Sequence, residues 1–194
     1  MNLLTGNQMH TKLLARQKMR ERRKQLSQHE KDISKKNLNQ EWKKIQSNFS
    51  FKKIGFYWPT LEEISPLSII VGLLNDGYEC YLPVVPMKSS NKKMTYRQYK
   101  PGIPMRENQF NILEPDDGKE ITAKELDLVF IPCVCFDKHG YRIGMGMGFY
   151  DATFSFVNES SAIKLVGLAY NFQKMDSCFE EDHDIRLHKV LTPK

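Results

Sequence analysis

Residues 126–135, Leu-Asp-Leu-Val-Phe-Ile-Pro-Cys-Val-Cys, carry one charged side chain and no polar alternation. A strand of that kind needs apolar cover on both faces, the condition of an inner strand in a parallel sheet flanked by helices. Directly behind it the chain reads Phe136-Asp137-Lys138-His139-Gly140-Tyr141-Arg142-Ile143-Gly144-Met145-Gly146-Met147-Gly148-Phe149-Tyr150-Asp151. A glycine-rich turn is thereby placed at the carboxyl end of a buried strand, where open α/β sheets take their ligands.

The flanking sequence supports the same architecture. Ala15, Met19 and Leu26 share one face of a helix expected over 11–26, and Lys12, Arg16, Arg20 and Arg23 line another. Ser27 and Glu30 fit a capping box, after which Leu38, Trp42, Ile45 and Phe49 recur at helical spacing. From residue 53 the period becomes alternating, with Ile54, Phe56 and Trp58 on one face and Pro59 ending the strand. Ser65 caps a helix with Pro66 at its first position, and a strand follows over 79–85. Strand, helix and strand within some 30 residues make a parallel crossover unit. Further strands are expected over 94–99 (edge or hairpin), 163–170 and 187–191, with 101–120 an ordered loop anchored by Phe110 and Ile112. The expected fold is one α/β domain over 1–194. It has an open, mostly parallel sheet with helices on both faces and an N-terminal helical pair, residues 1–10 being flexible or peripheral.

Charge is unevenly placed. Residues 1–50 hold 12 Lys+Arg and 4 Asp+Glu, while the remainder is slightly acidic, so the overall +6 is an N-terminal stripe. Such a stripe addresses nucleic acid, anionic membrane or small phosphorylated ligands. No window approaches the roughly 18 apolar residues of a membrane span, and no early apolar run is long enough for a signal peptide. Cys80, Cys133, Cys135 and Cys178 lack zinc spacing. They read as buried, reduced thiols of a cytoplasmic protein, with Cys133 and Cys135 on one face of the strand.

The glycine run carries the chemistry. Glycines at 144, 146 and 148 let successive N–H groups converge without Cβ obstruction, and a following helix adds its free amides and dipole. Arg142 adds a cation, and Asp151 is placed to hold Mg²⁺ against the same phosphates. A purely steric strand-to-helix turn is the alternative. The spacing matches neither a P-loop nor the Gly-x-Gly-x-x-Gly fingerprint, and the strand over 163–170 ends without a ribose-binding acid, which disfavours a dinucleotide oxidoreductase. Glu62 and Glu63, after Trp58-Pro59, could hydrogen-bond a planar N–H-rich heterocycle or be solvated helix-entry acids. The acidic run 180–184 reads as a metal carboxylate source or a solvated loop.

Together these pieces resemble the 5-formyltetrahydrofolate cyclo-ligase (5,10-methenyltetrahydrofolate synthetase) family. The resemblance rests on Asp127-Leu-Val-Phe-Ile-Pro, Phe136-Asp137-Lys138-His139-Gly140, Arg142-Ile143-Gly144, Gly146, Gly148 and Phe149-Tyr150-Asp151. Supporting matches are Lys12-x-x-x-Arg16, Glu63-Ile64, Asn108-x-Phe110-x-Ile112-x-Glu114-Pro115, Gln173 and His183-Asp184. It implies a Rossmann-like ligase of one-carbon metabolism that closes 5-formyltetrahydrofolate to 5,10-methenyltetrahydrofolate with ATP and Mg²⁺. The implied ATP site is Lys12, Leu13, Leu14, Ala15 and Arg16 with Arg142, Ile143, Gly144, Met145, Gly146, Met147, Gly148, Phe149 and Tyr150; Arg142 and Tyr150 are the catalytic candidates. The implied folate site is Arg16, Trp58, Glu63 and the loop Met145, Gly146, Met147, Gly148 and Phe149, and the implied metal ligands are Asp151 and Asp184. Met145, Met147, Phe149 and Ala152 depart from the family pattern, and Met147 stands where a Gly or Lys is common. Small-molecule substrates, no nucleic acid, no membrane and a monomeric state are the partner expectations. Arg20 and Arg23 are read as solvated surface. The rival readings are a relative acting on another small anion and a nucleic-acid module built on the basic helices.

Overall fold

The structure is a computed structural model that describes residues 3–60, 62–87 and 91–194. Helix α1 (Leu3–Lys24) is followed by α2 (Gln28–Ile45), and then by β1 (Lys53–Gly55), α3 (Leu67–Asn75) and β2 (Glu79–Val84). Next come β3 (Thr95–Tyr99), β4 (Met105–Glu107), β5 (Leu113–Pro115), β6 (Glu120–Thr122), β7 (Leu128–Pro132), β8 (Cys135–Phe136) and β9 (Arg142–Ile143). The chain ends with α4 (Phe149–Thr153), β10 (Lys164–Leu168) and β11 (Lys189–Leu191).

Seven strands form one sheet in the order β11-β10-β7-β1-β2-β3-β6. The first five are mutually parallel, whereas β3 runs antiparallel to β2 and β6 antiparallel to β3. The strand expected at residues 126–135 is β7, held between two parallel neighbours as its apolar composition demands. Strand β3 is not an edge, because β6 pairs on its outer side.

Alternate residues of β7 and β10 feed two cores. Leu128, Phe130, Val166 and Leu168 meet Leu38 and Trp42 of α2 and Ile69, Ile70 and Leu73 of α3. Val129, Ile131 and Leu165 meet Phe154, Leu126, Ile185 and Leu187 on the other face. Trp42 sets its ring edge on Phe130 at 4.9 Å, and truncating so large a buried side chain typically costs about 3–5 kcal/mol. The capping box is formed as expected: Ser27 Oγ accepts from Glu30 N–H at 3.2 Å, and Glu30 accepts from Ser27 N–H at 2.8 Å. The entry to α3 lies one residue later than expected: Pro66 is the cap and Leu67 the first helical residue, with Ser65 Oγ accepting from Leu67 N–H at 3.3 Å.

Four local expectations change. Helix α1 begins at Leu3, not near residue 11, so residues 3–10 are its first turns; residues 1 and 2 lie outside the described residues. The loop 101–120 contains the hairpin β4–β5. The hairpin β8–β9 intervenes between β7 and the glycine run. The helix after the glycines has only five residues, so its macrodipole is small.

Candidate active site

Beyond the carboxyl ends of β1 and β7 lies a cavity of about 850 Å³. One wall is the basic stripe of α1, with Lys12, Arg16, Arg20 and Arg23; the opposite wall is Arg142 and the run 143–151. The four stripe residues follow at helical spacings of three and four, which puts their side chains on one face, and the helix spreads Lys12 and Arg23 over about 16 Å.

Two sequence features shape the glycine wall before any ligand is considered. Asp137 is buried, and its Oδ1 accepts from the N–H groups of His139 and Tyr141 at 2.9 and 3.0 Å while its Oδ2 accepts from Cys178 N–H at 2.9 Å. Gly140 has φ +87°, and a Cβ there would come 2.5 Å from Leu187 O. The turn therefore requires glycine. The loop then takes left-handed backbone at Gly146 and Gly148, φ +97° and +74°, but not at Gly144. Among the described residues no protein acceptor is met by the backbone N–H groups of residues 144–148. Arg16 ties this loop to α1, its Nε donating to Gly144 O at 2.8 Å.

Charged groups converge at one end. Lys12 Nζ lies 2.7 Å from Glu181 Oε1 and 3.3 Å from Asp184 Oδ2. Burial pulls the Lys12 pKa down, but the hydrogen bonds and charges of these two acids outweigh it and hold the ammonium above its ordinary value. Glu181 is lowered in turn, chiefly by the hydrogen bond from Lys12. Arg142 is buried; its Nη2 donates to Asp151 Oδ1 at 3.0 Å and its Nη1 to Ile185 O at 3.4 Å. Burial, with the Glu63 charge second, pushes the Tyr150 hydroxyl far above its ordinary value. It stays a neutral hydrogen-bonding group.

The other end is aromatic and partly acidic. Trp58 sits edge-on to Tyr99 at 6.1 Å, and Glu63 accepts from Thr60 N–H at 3.0 Å. Burial raises the Glu63 pKa, opposed by the Thr60 hydrogen bonds and the Arg23 charge. The β4–β5 hairpin closes the cavity from the side: Asn108, Phe110 and Ile112 line it, and Phe110 meets Phe149 at 5.6 Å. Buried Glu114 holds this hairpin in place by accepting from Val85 N–H at 3.1 Å and Arg106 Nη2 at 3.0 Å.

Of the residues singled out in the sequence, Lys12, Arg16, Trp58, Glu63, Arg142–Ile143, 144–151 and Asp184 all line the cavity. Leu13 and Leu14 are exposed away from it, and Ala15 packs with Met19 and Val134. Arg23 departs from its reading as solvated surface: it is 3% exposed and lines the cavity. The signal was present, since Arg23 continues the i, i+4, i+8 series of buried Ala15 and Met19. Lys92 was also passed over; its Nζ lies 3.6 Å from where a Cβ on Gly148 would stand, which brings a cation to the loop next to Met147.

All four cysteines are free and buried, and burial pushes the Cys80 and Cys133 thiols up to about 12 and Cys135 up to about 11. They are poor nucleophiles at neutral pH. Cys133 and Cys135 do not share a strand face, because β7 ends at Pro132 and the two pack into different clusters.

Residues 8–193 match the model of the 5-formyltetrahydrofolate cyclo-ligase family. The 5-formyltetrahydrofolate cyclo-ligase of Haemophilus influenzae is 37% identical over 142 residues, covering 72% of this chain and 75% of that one. The protein of the same name from Escherichia coli K12 is 33% identical over 134 residues, covering 68% and 72%. The 5,10-methenyltetrahydrofolate synthetase of Aquifex aeolicus superposes with a TM-score of 0.78 at 26% identity, over 94% of this chain and 90% of that chain. Motif, fold and whole-length similarity agree, and the chain belongs to the 5-formyltetrahydrofolate cyclo-ligase family.

Proposed function

We propose that the chain catalyses ATP-dependent cyclisation of 5-formyltetrahydrofolate to 5,10-methenyltetrahydrofolate, releasing ADP and phosphate. The observation that carries this reading is the convergence, in one cavity, of a phosphate-type end and a heterocycle-type end. The first has Lys12, Arg16, Arg142 and the amides of residues 144–148, which meet no acceptor among the described residues; the second has Trp58, Glu63 and the Phe110 hairpin.

A formamide carbon is a poor electrophile and its oxygen a poor leaving group. Transfer of the γ-phosphoryl group to the formyl oxygen breaks the terminal P–O bond of ATP and activates that carbon. N10 then attacks it, a C–N bond forms, the C–O bond breaks, and the original formyl oxygen departs in phosphate with the N10 proton passing to solvent. Such a path asks the protein for positioning and charge neutralisation rather than a nucleophile, in keeping with the raised thiols. Lys12 and Arg16 hold phosphates, Arg16 fixing the loop through Gly144 O as well. Arg142 stabilises charge building on the transferred group, and Tyr150 contributes a hydrogen bond from a protonated hydroxyl. Trp58 stacks on the folate and Glu63 accepts from its N–H groups, while 145–149 form the wall where the formyl group and the γ-phosphate meet. Leu13, Leu14 and Ala15 are left out of the ATP site, since none lines the cavity and their backbone groups lie inside α1.

Among the described residues no cluster of three or more His, Cys, Asp or Glu side chains is placed to hold a metal. Asp151 and Asp184 do line the same cavity with side chains 21% and 14% exposed. Two carboxylates and substrate phosphates are the ordinary ligand set of Mg²⁺, so the pair fits an ion that arrives with ATP and would supply neutralisation of its phosphate charge. The buried thiols suit a reducing compartment, and we place the protein in the cytoplasm as a monomer without nucleic-acid or membrane partners. Among the described residues no helix is long and apolar enough to cross a membrane. The reading is tested by the absorbance of methenyltetrahydrofolate: product forming only when ATP and Mg²⁺ are both present supports it, and product at equal rate without ATP, or none with it, contradicts it.

A further inference from the structure

Arg23 stands out from the other basic residues of α1. It is 3% exposed, it lines the cavity, its Nε meets no acceptor, and among the described residues no ion pair includes its guanidinium. A buried cation with an unmet Nε–H donor is costly by itself, so a partner supplied by the ligand is the economical explanation for its position.

The neighbourhood selects the chemistry of that partner. Glu63 lines the same cavity, and the Arg23 charge acts on its carboxyl. A second carboxylate brought to Arg23 would be repelled by Glu63 and would have to be desolvated, which argues against an anionic group. A neutral carbonyl beside an N–H suffers neither penalty, because the carbonyl takes the Arg23 donors and the N–H gives to Glu63. Adjacent acceptor and donor of this kind form the edge of a cyclic amide. In a pterin they are the 4-oxo group and N3–H.

We propose that Arg23 is a specificity-determining residue that donates to the 4-oxo group of the pterin while Glu63 accepts from the adjoining N–H groups, so that the two together read the lactam edge. This rests on the folate reading of the site given above. It predicts that an analogue with a 4-amino group, a donor facing the Arg23 donors, binds poorly, as happens when a buried hydrogen-bonding site meets a mismatched group.

The test is competition against 5-formyltetrahydrofolate turnover by two folates that differ only at ring position 4, oxo or amino. The unmodified protein should favour the oxo compound by about tenfold or more. Arg23→Gln should bring the ratio within about threefold, raise the folate KM and leave the ATP KM unchanged; Arg23→Lys, which keeps charge and volume in case the first variant folds poorly, should give an intermediate ratio. Equal ratios in the unmodified protein and both variants, or a change confined to the ATP KM, overturn the assignment alone. No ATP-dependent product from the unmodified protein would remove the folate reading and this inference with it.

Discussion

At the scale of single residues, the same amino-acid type does different work according to burial. Lys12 is pinned between Glu181 and Asp184, whereas the pair Lys35–Asp32 is 40% and 56% exposed and contributes little. Lys12→Ala should therefore raise the ATP KM by roughly 10- to 100-fold, the worth of one charge-assisted contact, with a smaller change in the folate KM. Steady-state kinetics with each substrate varied separately checks this; a larger effect on folate would mean that the ends of the cavity are assigned in reverse. Glu63 gives a pH signature. Because burial raises its pKa, it is an ionised acceptor at high pH and loses that role as pH falls through the raised value. The folate KM should rise on acidification from above the usual carboxylate value of about 4.3, and Glu63→Gln should show a higher KM at neutral pH without that acid limb. These assignments were partly legible in the sequence, since the glycine motif pointed to Arg142, 144–148 and Asp151, and the family resemblance implied Lys12, Arg16 and Glu63. Arg23 was hidden because an arginine in a charged helix reads as surface, although it occupies a position of the apolar stripe.

Individual elements owe their positions to a few buried polar contacts. The β8–β9 hairpin aims the glycine loop, and its turn is fixed by Asp137 and by Gly140 at φ +87°. Leu187 N–H donates to Gly140 O at 2.8 Å, which ties the segment carrying Asp184 to that hairpin. Gly140→Ala should cost about 3 kcal/mol or more, combining a left-handed backbone penalty with the 2.5 Å approach to Leu187 O. In a chain of this size that lowers Tm by about 6–12 °C; a calorimetric shift below about 2 °C would show that the turn relaxes freely. Strands with a clear apolar run, such as β7 and β10, and the capping box of α2 were readable before the structure. The β4–β5 hairpin was not, because three-residue strands carry no period and are fixed instead by Glu114 reaching Val85 and Arg106. The short α4 was overread for a related reason: glycines announce a turn but not the length of the helix behind it.

The whole molecule brings Lys12 and Asp184, 172 positions apart, into one site. The chain order of strands does not reveal that β7 lies between β1 and β10, so the meeting of α1 with the glycine loop depended on long-range packing. That packing makes one cavity with the basic stripe of α1 on one wall and the glycine loop on the other, and the proposed reaction within it passes the formyl oxygen to phosphate. It is tested most directly by turning over 5-formyltetrahydrofolate labelled with ¹⁸O in the formyl group and analysing the phosphate by mass spectrometry. One ¹⁸O is expected in each inorganic phosphate released; label appearing in water, with unlabelled phosphate, would contradict phosphorylation of the formyl oxygen.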